Sequence, residues 1–229
     1  LGYVYKRQSL DFCYLLIENE ETLSVYSSDV VQAVDSLIEE RNILKHPFYV
    51  AWECGELTRD DLAAYARIYY PHVAEFPCHL EAVRAGCSDA IIKDTLTDNL
   101  YDERHEPKPH DELWLDFATS LGLDRDGVRS KQPHPAAAGI VETFGRLASA
   151  STASGLAALY AYESQQPAVS QSKKDGLMRH YRFDDAEGIA YFDVHAITAV
   201  SYTHLRAHET PEHRGRPGVG DKKKGGGGG

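Results

Sequence analysis

Apolar residues from position 29 onward recur at the three- and four-residue spacing of one face of an α-helix. The first such stripe runs from Val30 to Leu44, and Asp29 is expected to cap this helix. The pair His46-Pro47 predicts its end, because the residue before a proline disfavours helical backbone. An amphipathic helix is therefore predicted near the start of the patterned region.

The longest predicted helix begins at Thr58, where Thr58 and Asp61 have the spacing of a capping box. Its apolar stripe continues to Leu80, so Pro71 and Pro77 predict kinks within one helix. Further helices are predicted after Ser88 and over residues 110–121, 135–148, 154–165, 171–181 and 186–198. No useful stretch alternates with period two. The pattern therefore predicts an all-α bundle of seven to eight helices.

Composition narrows the function classes. The 229 residues carry 24 Lys and Arg against 35 Asp and Glu, a net charge of −11, which argues against a nucleic-acid or anionic-membrane partner. No apolar run approaches the roughly 20 residues of a membrane span. The four cysteines form no CxxC pair, which is typical of reduced thiols. A cytoplasmic protein is expected.

The two ends of the chain differ in composition from the part between them. Residues 200–229 carry six Lys and Arg against three Asp and Glu, and they hold eight of the 18 glycines. The run VSYTHLRAHET and the opposite VYKRQ each correspond to a reading frame of a transposase-type sequencing adapter. We expect residues 1–8 and 199–229 to be adapter-derived, the latter as a disordered tail. Residues 29–198 are then the helical domain, truncated in its last core helix, and 9–28 are an extension of uncertain origin. The alternative is a natural basic tail that binds an anion or a partner.

Helical bundles build metal sites from carboxylates and histidines that project inward. Glu103 continues the inward stripe of Leu96 and Leu100, and His110 opens the next helix seven residues later. The alternatives are a solvated glutamate and a surface histidine. His105 is a rival ligand, but its offset of two from Glu103 turns it to another face.

Two further candidates lie in apolar surroundings. Glu163 follows the apolar run GLAALYAY, where a buried carboxylate needs a metal or a hydrogen-bonding partner such as tyrosine. His195 lies between Phe192 and Ile197, a setting that also suits a core histidine with no ligand role. These two residues and Glu103 with His110 form the candidate metal set.

The chain uses tyrosine heavily, with 14 Tyr against 7 Phe. Two explanations of the high tyrosine content remain open: ordinary packing in the core, and a tyrosine-rich pocket beside an oxidising centre. The sequence contains no GxSxG, P-loop, GxGxxG or HExxH motif. The sequence therefore carries none of the common hydrolase, nucleotide-binding or zinc-protease signatures, and these motifs do not indicate its function.

Three runs resemble one known family in wording and order. They are HPFYVAWECGELTRDDLAAYARIYYPHVAEFPCHLEAV, DNLYDERHEPKPHDELW and ALYAYESQQP. They resemble the CADD family, the Chlamydia proteins associating with death domains. That family lies within the TenA/PqqC group of heme-oxygenase-like helical bundles. The resemblance covers about residues 30–198.

The resemblance implies a di-metal oxidase of folate metabolism with Fe/Fe or Fe/Mn. Such an enzyme forms p-aminobenzoate from one of its own tyrosines with O2 and a reductant. Carried over by motif, the metal ligands are Glu103, His110, Glu163 and His195. Ala199 and Tyr202 stand where the family pattern has Asp and His. We therefore expect this chain to hold metal weakly and the intact parent to hold two ions.

The same resemblance implies that Tyr49 is the sacrificed tyrosine, that Lys173 donates the amine, and that Tyr65 and Tyr162 line the pocket. One alternative is a metal-free TenA/PqqC-like enzyme acting on a small heterocycle. Its thiaminase-like branch needs a reactive cysteine, and Cys78 has no evident basic partner. A second alternative is an interaction module for death-domain partners. A homodimer is compatible with all three.

Overall fold

The computed structural model describes residues 27–183 and 185–197, which form ten α-helices, one short 3-10 helix and no β-strand. The helices are α1 (Ser27–Glu40), the 3-10 helix (Ile43–Lys45), α2 (Pro47–Cys54), α3 (Arg59–Gly86), α4 (Ala90–His105), α5 (His110–Ser120), α6 (Arg125–Ser130), α7 (Pro135–Ala150), α8 (Thr152–Glu163), α9 (Gln166–His180) and α10 (Ala186–Ile197). The predicted all-α class is confirmed. The segments 1–8 and 199–229, and the extension 9–28 up to residue 26, lie outside the described residues.

Eight of the helices in the described part of the chain have eleven residues or more, in agreement with the predicted seven to eight. The short helices α2 and α6, of eight and six residues, were not predicted. Pro47 begins α2 where only a helix end was expected, because Nδ1 of His46 accepts a hydrogen bond from the Phe48 amide and caps it. The sequence signal for a stop was therefore also the signal for a start.

Helix α3 is the longest and packs against α4, α5, α7 and α8. Its predicted start is confirmed, since Thr58 and Asp61 form a reciprocal capping box. The helix runs uninterrupted from Arg59 to Gly86 through both prolines. Helix α4 begins at Ala90, after the predicted position Ser88, and its cap is Asp89, whose side chain accepts hydrogen bonds from the Ile91 and Ile92 amides.

The core divides into two clusters that meet at the centre of α3. One is rich in aromatic side chains from α2, α3, α5 and α10, including Trp52 and Trp114. The other joins α3 with α4, α7 and α8 around Leu80. Tyr69 packs against the first cluster and Tyr162 against the second, and their hydroxyls are hydrogen-bonded at 2.7 Å. Polar groups thus meet where the two apolar clusters adjoin.

No helix in the described part of the chain combines the length and the apolar character that crossing a membrane requires.

Candidate metal centre

Glu103 and His110 are brought together by the turn between α4 and α5. Glu103 lies in the last turn of α4, and His110 is the first residue of α5. Oε2 of Glu103 lies 3.0 Å from Nδ1 of His110, and both side chains are buried. The inward position that the apolar stripe predicted for Glu103 is thus observed. His105 is exposed and stacks on Tyr101, as its helical offset predicted.

His195 joins this pair from the last turn of α10. Its Nε2 lies 3.9 Å from Oε1 of Glu103, and its ring centre is 4.6 Å from that of His110. Glu103, His110 and His195 each offer one donor atom, and these atoms all lie within 4.8 Å of one another. Mixed carboxylate and imidazole donors suit iron and manganese. We refer to these three residues as the Glu-His-His group.

Backbone carbonyls orient both imidazoles toward the carboxylate. Nδ1 of His195 lies 2.7 Å from the carbonyl oxygen of Tyr191, and Nε2 of His110 lies 3.1 Å from that of Glu106. Metal-binding histidines commonly donate their second N–H to such a carbonyl, which frees the other nitrogen as a ligand. Nδ1 of His110 is buried and makes no hydrogen bond of good geometry, although Oε2 of Glu103 faces it at 3.0 Å. A cation between these donors would satisfy that nitrogen, so the group fits a metal ion.

Ionisation in the group reflects its burial. Burial lowers the pKa of His195 to about 4, against the opposing charge of Glu103, so its imidazole is neutral at pH 7. Burial also acts to lower the pKa of His110, but the adjacent Glu103 outweighs this effect and the pKa is raised. The neutral form of His195 is the form that binds metal.

Glu163, the fourth candidate ligand, ends α8 and lies outside the Glu-His-His group. It is nevertheless near it: burial first, and the charge of Glu103 second, raise the pKa of Glu163 well above its ordinary value. Its side chain is partly buried. Two carboxylates that disfavour each other's charge are the arrangement that a cation stabilises.

Lys173 is buried in α9, with Tyr49, Tyr65 and Trp52 around it. Its Nζ donates a hydrogen bond of 2.6 Å to the Tyr65 hydroxyl and lies 5.0 Å from the centre of the Tyr49 ring. The rings of Tyr65, Tyr69 and Trp52 are 4.8, 5.5 and 5.8 Å away. Burial lowers the pKa of Lys173 to about 7. The structure thus brings together Tyr49, Tyr65 and Lys173, which the resemblance had grouped.

Tyr162 also reaches this pocket, through its hydrogen bond to Tyr69, which stacks on Tyr65 with ring centres 5.3 Å apart. Burial raises the pKa of Tyr49 to about 12, against a hydrogen bond from Tyr65. Burial also raises the pKa of Tyr162 well above its ordinary value, and the neighbouring Tyr69 adds to this. The phenols of Tyr49 and Tyr162 are therefore neutral at pH 7.

Several buried residues beside the site were not predicted. Tyr191 stacks on His195 with ring centres 4.2 Å apart, and Trp114 contacts both Tyr191 and Tyr69. His72 packs on Tyr162, and burial lowers its pKa to about 3, with the neighbouring His79 adding to the effect. The sequence feature that could have identified Tyr191 is its position one helical turn before the candidate ligand His195. Positions 199 and 202 lie outside the described residues.

A family model described as "Iron-containing redox enzyme" matches residues 63–204 of the chain. The chain belongs to this family of iron-containing redox enzymes. The 4-aminobenzoate synthase of Chlamydia muridarum is 38% identical over 180 residues, which is 78% of this chain and 76% of that protein. The 4-aminobenzoate synthase of Chlamydia trachomatis is 40% identical over 163 residues, 71% of each chain.

A more distant relative is the pyrroloquinoline-quinone synthase of Ectopseudomonas mendocina, 26% identical over 184 residues, 74% of this chain and 73% of that protein. The resemblance recognised in the sequence is thus confirmed, together with the heme-oxygenase-like helical fold. Membership of the iron-containing redox enzymes makes the chain an oxidoreductase by family. Iron is the metal that the family description names.

Proposed function

We propose that this protein is an oxidase that forms 4-aminobenzoate from a tyrosine of its own chain, using O2 and an external reductant. The observation that carries the proposal is the placement of the Lys173 amine against the rings of Tyr49 and Tyr65. The Glu-His-His group lies in the same bundle. The names of the Chlamydia relatives support the same product.

Glu103, His110, Glu163 and His195 would hold the metal, with iron or an iron-manganese pair as the expected occupant. When bound, the metal supplies the redox chemistry that activates oxygen. Two ions need about six protein donors, and this chain has Ala199 and Tyr202 at the two remaining positions of the pattern. A partial site is therefore proposed for this chain and a complete one for the intact parent.

The residues around Lys173 set the ionisation and the orientation of the amine that is proposed to react. A pKa of about 7 gives Lys173 a large neutral fraction at physiological pH, and only a neutral amine can act as a nucleophile. The Tyr65 hydroxyl accepts the hydrogen bond from Lys173 and so fixes its direction. The four aromatic rings around Nζ exclude bulk water from the amine. Tyr49, buried and neutral, is the proposed sacrificed residue.

Two alternative functions have less support. Burial and the nearby Glu75 raise the pKa of the Cys78 thiol, which disfavours the thiolate that a thiaminase-like reaction needs. A death-domain docking module needs a contiguous apolar face. The large exposed apolar side chains among the described residues are instead spread over four helices: Val50, Ile91, Tyr101, Met178 and Ile197.

The proposed setting is cytoplasmic, because Cys54, Cys78 and Cys87 are free thiols. The proposed oligomeric state is a homodimer, which is compatible with the family. The proposed partners are O2, a reductant and the released product, with no nucleic acid and no membrane.

Oxygen uptake tests the metal centre. In protein that also carries Ala199→Asp and Tyr202→His, and after subtraction of the O2 uptake by Fe(II) and ascorbate alone, we expect Glu103→Gln to lower the rate of O2 consumption at least about tenfold, since it removes the charge at the centre of the Glu-His-His group. Glu81→Gln is the matched control, because Glu81 pairs with Arg104 on the exposed side. An oxygen electrode gives the rates. Equal uptake by both variants and their parent would contradict the assignment.

A further inference from the structure

Helices α2 and α9 approach each other closely at two points, and each point requires glycine. A Cβ atom on Gly176 would lie 2.8 Å from Cδ1 of Trp52 and 3.1 Å from the Trp52 carbonyl oxygen. Gly55 ends α2 with a φ of +72°, and a Cβ there would lie 2.6 Å from Cγ of His180. Larger residues would force the two helices apart.

A buried hydrogen bond fixes the register of this contact. Nε1 of Trp52 donates to the carbonyl oxygen of Lys173 at 3.0 Å. That carbonyl lies inside α9, and a helix carbonyl has a second lone pair for such a donor. Trp52 is only 1% exposed, so the bond is sheltered from water. The Trp52 side chain on α2 is thereby hydrogen-bonded to the backbone of Lys173 on α9.

The tight contact lies one helical turn from the proposed reacting pair. Trp52 follows Tyr49 by three residues on α2, and Gly176 follows Lys173 by three residues on α9. Residues three apart on a helix share a face. The contact between Trp52 and Gly176 therefore sets how far the Lys173 amine stands from the Tyr49 ring, a separation of 5.0 Å to the ring centre.

We propose that Trp52 and Gly176 form a positioning device that holds the Lys173 amine against Tyr49, with Trp52 as a positioning residue for the reaction. The catalytic consequence rests on the proposed function, whereas the position of the amine is a property of the metal-free protein. A displacement of about 1 Å costs an enzymatic reaction about 100-fold. A methyl group at position 176 has no room and would push α9 outward by an amount of this order.

The test compares Gly176→Ala with Gly155→Ala. Gly155 is also a helical glycine, and a Cβ there would lie 2.4 Å from Cγ2 of Val83, which belongs to the second core cluster. Both variants are expected to lower the melting temperature. Only Gly176→Ala and Trp52→Phe should admit water around Lys173 and raise its pKa from about 7 toward that of an exposed lysine. NMR of lysine-labelled, metal-free protein measures that ionisation, with an expected change of at least about tenfold in proton affinity.

The second readout is the initial rate of 4-aminobenzoate formation per chain, measured in iron-loaded protein that also carries Ala199→Asp and Tyr202→His. Gly176→Ala and Trp52→Phe are expected to lower it about 100-fold. Gly155→Ala is compared only in the lysine titration, because Gly155 lies on the helix that carries Glu163.

If the iron-loaded Ala199→Asp, Tyr202→His chain with Trp52 and Gly176 intact forms no 4-aminobenzoate, the proposed function fails while the lysine titration still decides the positioning role. If Lys173 ionises alike in the unaltered chain and in both α2–α9 variants, the positioning proposal is overturned. A Trp52→Phe protein that does not fold leaves Gly176→Ala to give the same two measurements.

Discussion

Replacing Lys173 with methionine is expected to abolish 4-aminobenzoate formation. Methionine matches the length and apolar stem of lysine but has no nitrogen to transfer, and it loses the 2.6 Å hydrogen bond to Tyr65. Because the surrounding rings are apolar, methionine should be accepted in the core without loss of the fold. Mass spectrometry of the released product, expressed per chain, measures the effect.

Lys174→Met is the matched control for this substitution. Lys174 is the next residue along α9, but it pairs with Asp193 and is partly exposed. With both substitutions made in protein that carries Ala199→Asp and Tyr202→His, the Lys174→Met variant should form product at the rate of its parent. The rate of that parent should also rise as the pH passes from about 6 to about 8, since the neutral fraction of Lys173 grows through its pKa of about 7. Undiminished product from Lys173→Met would remove lysine from the mechanism.

The double substitution Ala199→Asp with Tyr202→His is expected to raise the affinity for iron by at least about 10- to 100-fold. Positions 199 and 202 are those where the family pattern has Asp and His, at i+4 and i+7 from His195 in the sequence. The added donors should bring the donor set to the roughly six that two ions need. Metal analysis after dialysis and the rise in melting temperature with added Fe(II) measure the gain.

Ala199→Asn with Tyr202→Phe is the matched control, because it introduces similar side chains with no carboxylate or imidazole. That variant should hold no more iron than the unaltered chain. Equal iron content in both double variants would contradict the assigned ligand positions. Two tightly held ions in the unaltered chain would contradict the expectation of a weakened site.

The sequence predicted most of the fold because helical periodicity is a local property. The stripe from Leu62 to Leu80 and the capping pair of Thr58 with Asp61 located the start of α3 and its course through two prolines. Helix α2 was not predicted, because it shows no useful periodicity. Eight residues give too few turns for periodicity, and its start depends on a capping contact of His46.

The candidate site was predictable only where a residue type conflicted with its surroundings. Glu163 and His195 lie in apolar runs, and that conflict alone marks them in the sequence. Lys173 gave no such sign, because its burial depends on packing against α2 and α3; only the family resemblance singled it out. Trp52 and Gly176 escaped for the same reason, since close contact between α2 and α9 joins residues more than a hundred positions apart.

The most direct test of the central claim follows the carbon of tyrosine. The Ala199→Asp, Tyr202→His double variant is prepared with ring-labelled tyrosine, loaded with iron, and given O2 and ascorbate without any small-molecule substrate. We predict labelled 4-aminobenzoate in solution, at no more than about one molecule per chain, with a matching loss of intact Tyr49 in the peptide map. Adding the substitution Tyr49→Phe should remove the product. Unlabelled product, or no product with every tyrosine intact, would contradict the formation of 4-aminobenzoate from the protein's own tyrosine.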